Sequence, residues 1–346
     1  YHVAHGDLGN KANTFTIVGS IQGLPNVDVV TTSSATGGSA EETIESIKYI
    51  APRYFQAQER AVTAADFEVL VLSNFPEVKS VRAYGGELAN PPQYGKVYVA
   101  VKPFDQDFLT DSKKEIIQTF LDDRTSLSID PVVLDPDIMH LIIDAIVYYD
   151  PNTTNDDETT IESAVATAIE DYVLTTLDRF NKKLKGSQLG RIIDDTHNSI
   201  TGSSFEFQLE KTLTPQLNTS QRIEIQFNNV LAPNEHNPDT GHRPTITSTG
   251  FTHNGNLSFL QDDANGNMTI YYINSEGQAV ISDSTAGTVD DETGLVTLTS
   301  FTISSYEGDG LKIYARLSKT NVESMTNQLI TISSADITLT MTPEIE

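Results

Sequence analysis

The stretch from Tyr49 to Lys102 constrains the fold of this chain more than any other part of the sequence. Thr63 and Asp66, three residues apart, form the pattern of a capping box and predict the start of a helix. Three apolar residues then recur on one helical face: Phe67, Leu70 and Val71. Pro76 disfavours the helical conformation at the residue before it, so the helix is predicted to end there.

The run from Val97 to Val101 is continuously apolar and rich in β-branched residues. Such a run is typical of a strand that is covered on both faces. The whole stretch therefore predicts helix, turn, strand, loop and strand. It contains no pattern of reactive side chains, and we interpret it as scaffold.

Three motifs in this region match a known family: 51–55 (APRYF), 60–67 (RAVTAADF) and 75–78 (FPEV). With them the chain resembles the baseplate wedge subunits of T4-like contractile phage tails, in the baseplate J-like group. The resemblance extends from about Glu41 to Leu213. We interpret the matching motifs as fold determinants, so the resemblance implies no particular interface residues.

Charge limits the choice of partner. The chain has 346 residues, with 22 basic and 48 acidic side chains and a net charge of −26. No basic cluster exceeds 182–185 (KKLK), whereas a nucleic-acid partner requires a basic footprint. We therefore predict no nucleic-acid binding, and the acidic surface suits docking to basic partner surfaces. Cysteine is absent, which excludes disulfides, thiolate metal ligands and a cysteine nucleophile.

The sequence predicts no membrane insertion, because no apolar stretch approaches the roughly 20 residues that span a bilayer. Residues 1–8 lack the apolar core of a signal peptide. The first residue is Tyr1 and not Met, so we expect the chain to be a fragment of a longer protein, the C-terminal portion of a wedge subunit. How much sequence precedes Tyr1 is left open.

The length favours two or three domains. The predicted fold is α+β and multidomain: α/β modules with mixed sheets and a long helix, followed by a β-rich, sandwich- or barrel-like C-terminal domain. The predicted parts are a short β-rich segment at 1–38, a J-like core at 39–214 and the β-rich domain at 215–346. The core is predicted to be either one module or two, 39–104 and 105–214.

In the first segment, 15–18 and 27–30 predict short strands, and Ser39 with Glu42 predicts a helix cap. Within the core, Ser112 and Glu115 predict another helix cap. The buried stripe predicted for that helix is Ile116, Ile117, Phe120 and Leu121.

The segment from Ile138 to Tyr149 alternates with a period of two and predicts a strand with one apolar face. That face consists of Met139, Leu141, Ile143, Ala145, Val147 and Tyr149. The longest helix is predicted from Thr160 to about Lys185, capped by Thr159 and Glu162 and ended by Gly186. The lysines at 182, 183 and 185 are predicted to complement its dipole. A shorter helix opening at Ser187 and an alternating strand at 205–209 follow, and this order also resembles the J-like group.

Beyond residue 222, turn signals at short intervals separate seven predicted strands, the pattern of a sandwich or barrel. They are 222–230, 257–260, 268–273, 294–303, 311–317, 328–332 and 337–341. The segments 275–277 and 292–294 are predicted to be similar hairpin turns.

Several polar clusters could bind a metal. His140 and Asp144 share a strand face, but we interpret them as a partly exposed polar pair. The loop from His236 to His242 could supply three ligands or be an ordinary surface loop, and whether it binds metal is left open. The segment 262–267 lacks the EF-hand spacing, so we predict a β-turn there.

Few residue patterns in the sequence indicate a catalytic site. The acidic runs 290–292 and 194–195 could be carboxylate pairs for glycoside hydrolysis, but adjacent acids arise by chance in so acidic a chain. No nucleophile-elbow motif occurs. We therefore predict no catalytic, cofactor-binding or metal-binding residue, and a protein that is not an enzyme.

The resemblance implies a structural baseplate subunit in the virion tail, assembled in the host cytoplasm. It would associate with itself, as a dimer or a ring, and with other wedge proteins. It would take part in an oligomeric ring around the hub and rearrange before sheath contraction. The order of the oligomer, its neighbours and the moving module are left open. One alternative is a carbohydrate-binding or depolymerising tail component with stacking residues at Tyr271, Tyr272, Tyr306 and Tyr314. Another is a metal-dependent hydrolase that uses the loop from His236 to His242.

Overall fold

A computed structural model describes residues 42–344 except 90, 105, 234, 238–240 and 325, together with residues 12 and 14. The predicted segment 1–38, with its strands, lies outside the described residues except for positions 12 and 14. Ser39 also lies outside them, but the helix that it was predicted to cap begins at Ile44 with Thr43 as its N-cap, so that prediction is wrong. The chain divides into two compact units, unit 1 (Tyr1–Pro136) and unit 2 (Asp137–Glu346).

The described part of unit 1 contains three α-helices and a three-stranded sheet. Its elements are α1 (Ile44–Ala57), α2 (Ala64–Asn74), β1 (Val78–Gly85), β2 (Lys96–Pro103), α3 (Asp111–Asp122) and β3 (Asp130–Leu134). The sheet has the order β1-β2-β3. β1 and β2 are antiparallel, whereas β2 and β3 are parallel. In β2, Val99, Ala100 and Val101 are fully buried, as a strand covered on both faces requires.

The start of α2 is the predicted capping box. The Thr63 N–H donates to the Asp66 carboxylate at 2.8 Å, and the Asp66 N–H donates to the Thr63 hydroxyl at 3.3 Å. Phe67 and Leu70 on the inner face are fully buried in the unit 1 core. The helix ends at Asn74, two residues before Pro76, so both predicted ends are confirmed within two residues.

The cap predicted at Ser112 is wrong. The helix α3 begins at Asp111, and the N–H groups of Lys113 and Lys114 both donate to the Thr110 carbonyl, so Thr110 holds the N-cap position. Ser112 is already inside the first turn. The predicted stripe also fails at Ile116, which is 53% exposed, because only one edge of that stripe, around Ile117, reaches the core.

These two helix starts give a matched pair of variants. Thr63→Ala is expected to lower the free energy of unfolding of unit 1 by about 1 kcal/mol, since one cap hydrogen bond is lost. Ser112→Ala is expected to change it by less than about 0.5 kcal/mol. Hydrogen–deuterium exchange of α2 and α3 peptides in a urea series measures both. Equal effects of the two substitutions would contradict the assignment of the caps.

Unit 2 contains two helices and most of the strands. Its helices are α4 (Glu158–Thr176) and α5 (Gly186–Thr196). Its strands are β4 (Asp137–Tyr149), β5 (Lys183–Lys185), β6 (Ile200–Leu213), β7 (Gln221–Gln226), β8 (Glu235–Asn237), β9 (Gly241–Arg243), β10 (Ile246–Ser248), β11 (Phe251–His253), β12 (Asn256–Asp262), β13 (Asn267–Ile273), β14 (Ala279–Asp290), β15 (Leu295–Phe301), β16 (Ser305–Tyr306), β17 (Leu311–Arg316), β18 (Asn321–Glu323), β19 (Gln328–Thr331) and β20 (Ile337–Pro343).

The strand β4 is the organising strand of unit 2. The six residues of its predicted apolar face are all buried, which confirms the alternation. One edge pairs with β6 in the antiparallel sense, and the other pairs in parallel with β19 and then β20. The main path of this 13-stranded sheet is β19-β4-β6-β17-β10-β12-β13-β14-β15-β7.

The prediction for the longest helix is wrong at its C-terminus. The helix α4 ends at Thr176, and Lys183–Lys185 form β5, which pairs with β18. Leu184 is fully buried in this strand, and Lys183 binds Glu323 at 2.7 Å, so these lysines do not complement the dipole of α4.

Two further details of this region differ from the prediction. The N-cap of α4 is Asp157, not Thr159. Gly186 does not end a helix but is the first residue of α5. A side chain at Gly186 would lie 2.5 Å from Thr320, and this close approach explains the glycine.

The fold class is confirmed as α+β with a β-rich C-terminal region. All seven strands predicted beyond residue 222 are present, although the twelve-residue β14 was missed. These strands do not form a sheet of their own, because β6 ends at Leu213 and pairs directly with β17. The domain boundaries at 38/39, 104/105 and 214/215 remain predictions.

Candidate interaction surface

The helix α1 carries an apolar stripe that is largely exposed. At 100° per residue, Ile44, Ile47 and Phe55 fall on one face together with Ala51 and Tyr54. Ile44 is 66% exposed, Ile47 is 47% exposed and Phe55 is 80% exposed. An amphipathic helix normally directs such a stripe into the core. Exposed apolar patches of this kind mark interaction sites.

The other side of α1 is held in place locally. Ala57 is buried, and α1 packs against α2. The Arg53 guanidinium lies 3.7 Å from the centre of the Tyr49 ring and donates to the Tyr49 carbonyl at 2.8 Å. These contacts lie outside the apolar stripe and leave it accessible.

An open depression continues the stripe at the C-terminal end of α1. It is lined by Ala51, Tyr54, Phe55, Gln58 and Glu59. The backbone turns sharply there, with positive φ angles of 50° at Gln58 and 60° at Glu59. The depression is mostly apolar, so it suits a protein side chain better than a polar metabolite.

The interpretation of all three motifs as fold determinants holds for Tyr54, which packs against the unit 1 core, but not for the other four residues of 51–55. Within 60–67, Ala61 and Phe67 are buried in the unit 1 core. Ala51, Pro52, Arg53 and Phe55 are instead exposed. A hydrophobic stripe indicates which side of a helix is apolar, but not what covers that side. The first motif is therefore a candidate contact surface that the sequence reasoning missed.

His140 and Asp144 are not brought together as metal ligands. Four residues along a strand span about 13 Å, too far for one ion. His140 is paired with Asp336, with Nδ1 and Oδ2 3.6 Å apart, whereas Asp144 accepts from Gln208 at 3.3 Å. Within the described part of the chain, no group of three or more His, Asp or Glu side chains could hold a metal.

The segment 262–267 is the predicted turn, between β12 and β13. The Asp263 carboxylate accepts from the N–H groups of Asn265 at 2.8 Å and Asn267 at 3.0 Å. Asn274 and Asp290 accept backbone N–H groups in the same way in the turns that follow β13 and β14. Asp263 and Asp290 therefore stabilise hairpin turns, and the predicted likeness of 275–277 and 292–294 is confirmed.

The loop from His236 to His242 is only partly described. β8 and β9 pair with His236 opposite His242 in the backbone register. Residues 238–240 and both histidine side chains lie outside the described residues. Whether this loop binds metal therefore stays open.

The carboxylate pairs proposed for glycoside hydrolysis have other roles. Asp194 accepts from the Ser203 hydroxyl at 2.8 Å. Adjacent helical residues such as Asp194 and Asp195 do not face each other. In the second run, burial raises the pKa of Asp291, and the nearby charges of Asp262 and Asp290 raise it further.

The Asp291 carboxyl group has a testable effect on the stability of the fold. A raised pKa means that Asp291 stabilises the fold when protonated, and that this contribution is lost as the pH rises above the usual value of 3.8 through the raised pKa. Asp291→Asn is therefore expected to unfold at a higher temperature than the parent at pH 7, with the difference closing towards pH 4. Thermal melts followed by circular dichroism at both pH values measure it.

A substitution at Asp290 is the control, because it is expected to shift the melting temperature in the opposite direction. Hydrogen bonds from the Thr293 side chain and backbone lower the pKa of Asp290. Its stabilising contribution is present above pH 3.8 and lost as the pH falls, so Asp290→Asn is expected to lower the melting temperature at pH 7. If both variants shifted the melt in the same direction, the account of this turn would be wrong.

The tyrosines suggested as sugar platforms are not free rings. Tyr306 packs against the unit 2 core, and Tyr314 is half-buried, with a pKa raised by burial and by Glu210. Tyr271 packs on Phe259 with ring centroids 5.7 Å apart. Tyr272 lies on the opposite side of β13 and is half-buried.

Among the described residues, no helix is both long enough and apolar enough to cross a membrane.

Comparison with known families identifies the class of this scaffold. Residues 63–134 match C-terminal domain I, and residues 137–212 match C-terminal domain III, of the baseplate structural protein gp6 family. Two adjacent segments of the chain are thus similar to domains of a baseplate structural protein. The boundary between the two matches coincides with the division of the chain after Pro136.

One protein with a similar sequence is baseplate wedge protein gp6 of Enterobacteria phage T4. It is 26% identical over 198 residues, which are 57% of this chain and 29% of the T4 protein. The chain therefore spans less than a third of that relative. The resemblance to baseplate wedge subunits is confirmed by these matches.

A cryo-EM structure of the anti-feeding prophage baseplate, sixfold symmetrised, also shows a slight likeness. The similarity covers 52% of this chain and 42% of the other, at 17% identity and a TM-score of 0.33. A likeness at this level supports no statement about fold or function.

Proposed function

We propose that this chain is a structural, non-enzymatic subunit of a contractile phage tail baseplate, located in the wedge. The observation that carries the proposal is the pair of adjacent matches to the gp6 C-terminal domains, which follow the observed division of the chain. In this role the subunit forms a ring around the hub with other wedge proteins and rearranges before sheath contraction. It is assembled in the host cytoplasm and binds no nucleic acid.

For the contact between subunits, we propose that the exposed stripe of α1 binds the same stripe of a second copy. Two copies of one patch can meet about a two-fold axis, where residue i contacts residue j and the reverse. If two α1 helices cross in antiparallel orientation at the small Ala51, Ile47 of each copy faces Phe55 of the other. Both side chains are exposed in the single chain, and the contact between two copies would cover both of them.

Charge favours this contact at α1. The chain as a whole carries −26, so most of its surface repels a second copy. The helix α1 holds one acidic residue, Glu45, and two basic residues, Lys48 and Arg53. It is therefore a part of the chain where two copies can approach without strong repulsion.

A genetic experiment tests the role in assembly. In the phage that encodes it, removal of this chain is expected to prevent assembly of complete contractile tails, because wedge subunits would not join into a baseplate. Supplying the wild-type protein from a plasmid is expected to restore them. Normal sheathed tails and normal infectivity without the protein would contradict the proposal.

A further inference from the structure

A second exposed apolar surface lies on unit 2, on the strands β12, β13 and β14. Its members are Leu257, Phe259, Tyr271, Ile273 and Ile281, named here the outer patch. Leu257 is 51% exposed, Ile273 is 50% exposed and Ile281 is 60% exposed. Phe259 and Tyr271 are half-buried against each other at its centre.

The strand register places these side chains on one face. Phe259 is opposite Tyr271, and Tyr271 is in turn opposite Ile281. Leu257 and Ile273 continue the same register two residues from Phe259 and Tyr271, so they project on the same side. The alternate residues face inwards, and Ser258, Leu260 and Ile270 are buried. The patch is therefore a contiguous cross-strand surface and not a set of scattered residues.

The segment of the chain that forms the outer patch carries charges of one sign. Residues 244–311 contain no Lys or Arg. Their acidic residues are Asp262, Asp263, Glu276, Asp283, Asp290, Asp291, Glu292, Glu307 and Asp309.

Two of these acids border the outer patch. Glu276 lies in the turn directly after Ile273, and it is exposed. Glu307 and Leu257 both approach Gly250, with Glu307 Oε2 3.0 Å and Leu257 Cδ1 2.8 Å from the place of a Cβ there. An apolar centre with an acidic rim is complementary to an apolar centre with a basic rim.

We propose that the outer patch docks a different protein, whose contact face has apolar side chains surrounded by Lys and Arg. A second copy of this chain does not fit, because it would place an equally acidic surface against Glu276 and Glu307, and like charges across an interface are costly. The surface lies outside residues 63–212, the part that matches the gp6 domains, so the proposal does not depend on those matches.

Photo-cross-linking in the cells that naturally make the protein tests this proposal. The protein, as those cells make it, carries p-benzoylphenylalanine in place of Leu257, and adducts formed on irradiation are identified by mass spectrometry. The expected product is an adduct with a different polypeptide, joined through a segment rich in Lys and Arg. No adduct, or adducts only with another copy of the chain, would overturn the proposal.

Paired variants separate docking from folding. Glu276→Lys in the turn after β13 is expected to reduce the adduct about tenfold, which corresponds to about 1.4 kcal/mol. Glu292→Lys, in the similar turn at the other end of β14, is the control and is expected to leave the yield unchanged. Ile281→Ser is expected to reduce it about tenfold as well, since a central contact is lost. Equal yields from Glu276→Lys and Glu292→Lys would overturn the role of the rim.

This inference can fail separately from the baseplate role. An adduct with a basic protein that is absent from tails would support the outer patch and count against the proposed function. A chain located in the baseplate but without any adduct at position 257 would give the opposite result.

Discussion

A chain that ends at residue 326 is expected to lose the cooperative unfolding of unit 2, although it retains everything that matches the gp6 domains. The truncation removes β19 and β20, which fill one edge of β4. Leu329 and Ile330 are fully buried, and Ile332 is 5% exposed. Loss of each buried aliphatic side chain costs about 2–5 kcal/mol. Together these losses approach the roughly 5–15 kcal/mol that stabilises a whole domain.

Hydrogen–deuterium exchange of the purified chain measures this effect peptide by peptide. We expect β4 and β6 to lose their protection, and peptides from α2 and β1 of unit 1 serve as the internal reference. Thr338→Ala with Thr340→Ala, at the exposed positions of β20, is the control and is expected to cost about 1 kcal/mol or less per residue. Full protection of β4 in the truncated chain would show that residues 137–214 fold without the C-terminal strands.

Phe55→Asp is expected to abolish self-association of the chain and to reduce assembled tails sharply. Burying a phenylalanine contributes about 1.5–3 kcal/mol, and a two-fold contact loses this amount twice. The dissociation constant of the pair is therefore expected to rise by about two to four orders of magnitude. The fold should survive, because Phe55 is 80% exposed.

Analytical ultracentrifugation over a concentration series measures the association, and the titre of phage that carry the variant measures assembly. Leu127→Asp is the matched control, because Leu127 is also fully exposed in unit 1 but lies outside the α1 stripe. It is expected to leave both quantities unchanged. A wild-type chain that stays monomeric, or a Phe55→Asp chain that associates as the wild type does, would contradict the proposed contact.

The sequence predicted those parts of the fold that local interactions determine. The start of α2 depends on Thr63 and Asp66, which are three residues apart. The apolar face of β4 follows from a period of two, which any strand with one buried face must show. In both cases the residues that determine the structure are neighbours in the sequence.

The failures share a different cause. The segment Lys183–Lys185 resembles the end of a helix, yet it is a strand because Asn321–Glu323 pair with it from more than 130 residues away. β14 was missed because most of its outward positions are polar, and its place is fixed by β13 and β15. Such pairings are determined by tertiary contacts, which override local preference.

The two candidate interaction surfaces could not be predicted from the sequence for a related reason. The apolar stripe of α1 and the alternation in β12 and β13 are both visible in the sequence. Whether Phe55 or Ile281 faces the core or solvent depends on what packs against it, and the sequence pattern is the same in either case.

Immunogold labelling of intact particles, with antibody raised against this chain, tests the baseplate role most directly. We predict label at the distal end of the tail, where a wedge subunit would lie. Tails disrupted with detergent, labelled in the same way, expose epitopes that assembly covers. Label confined to the distal end would agree with a structural subunit of the baseplate. Label absent from both intact and disrupted tails, in a phage that makes the protein during infection, would contradict it.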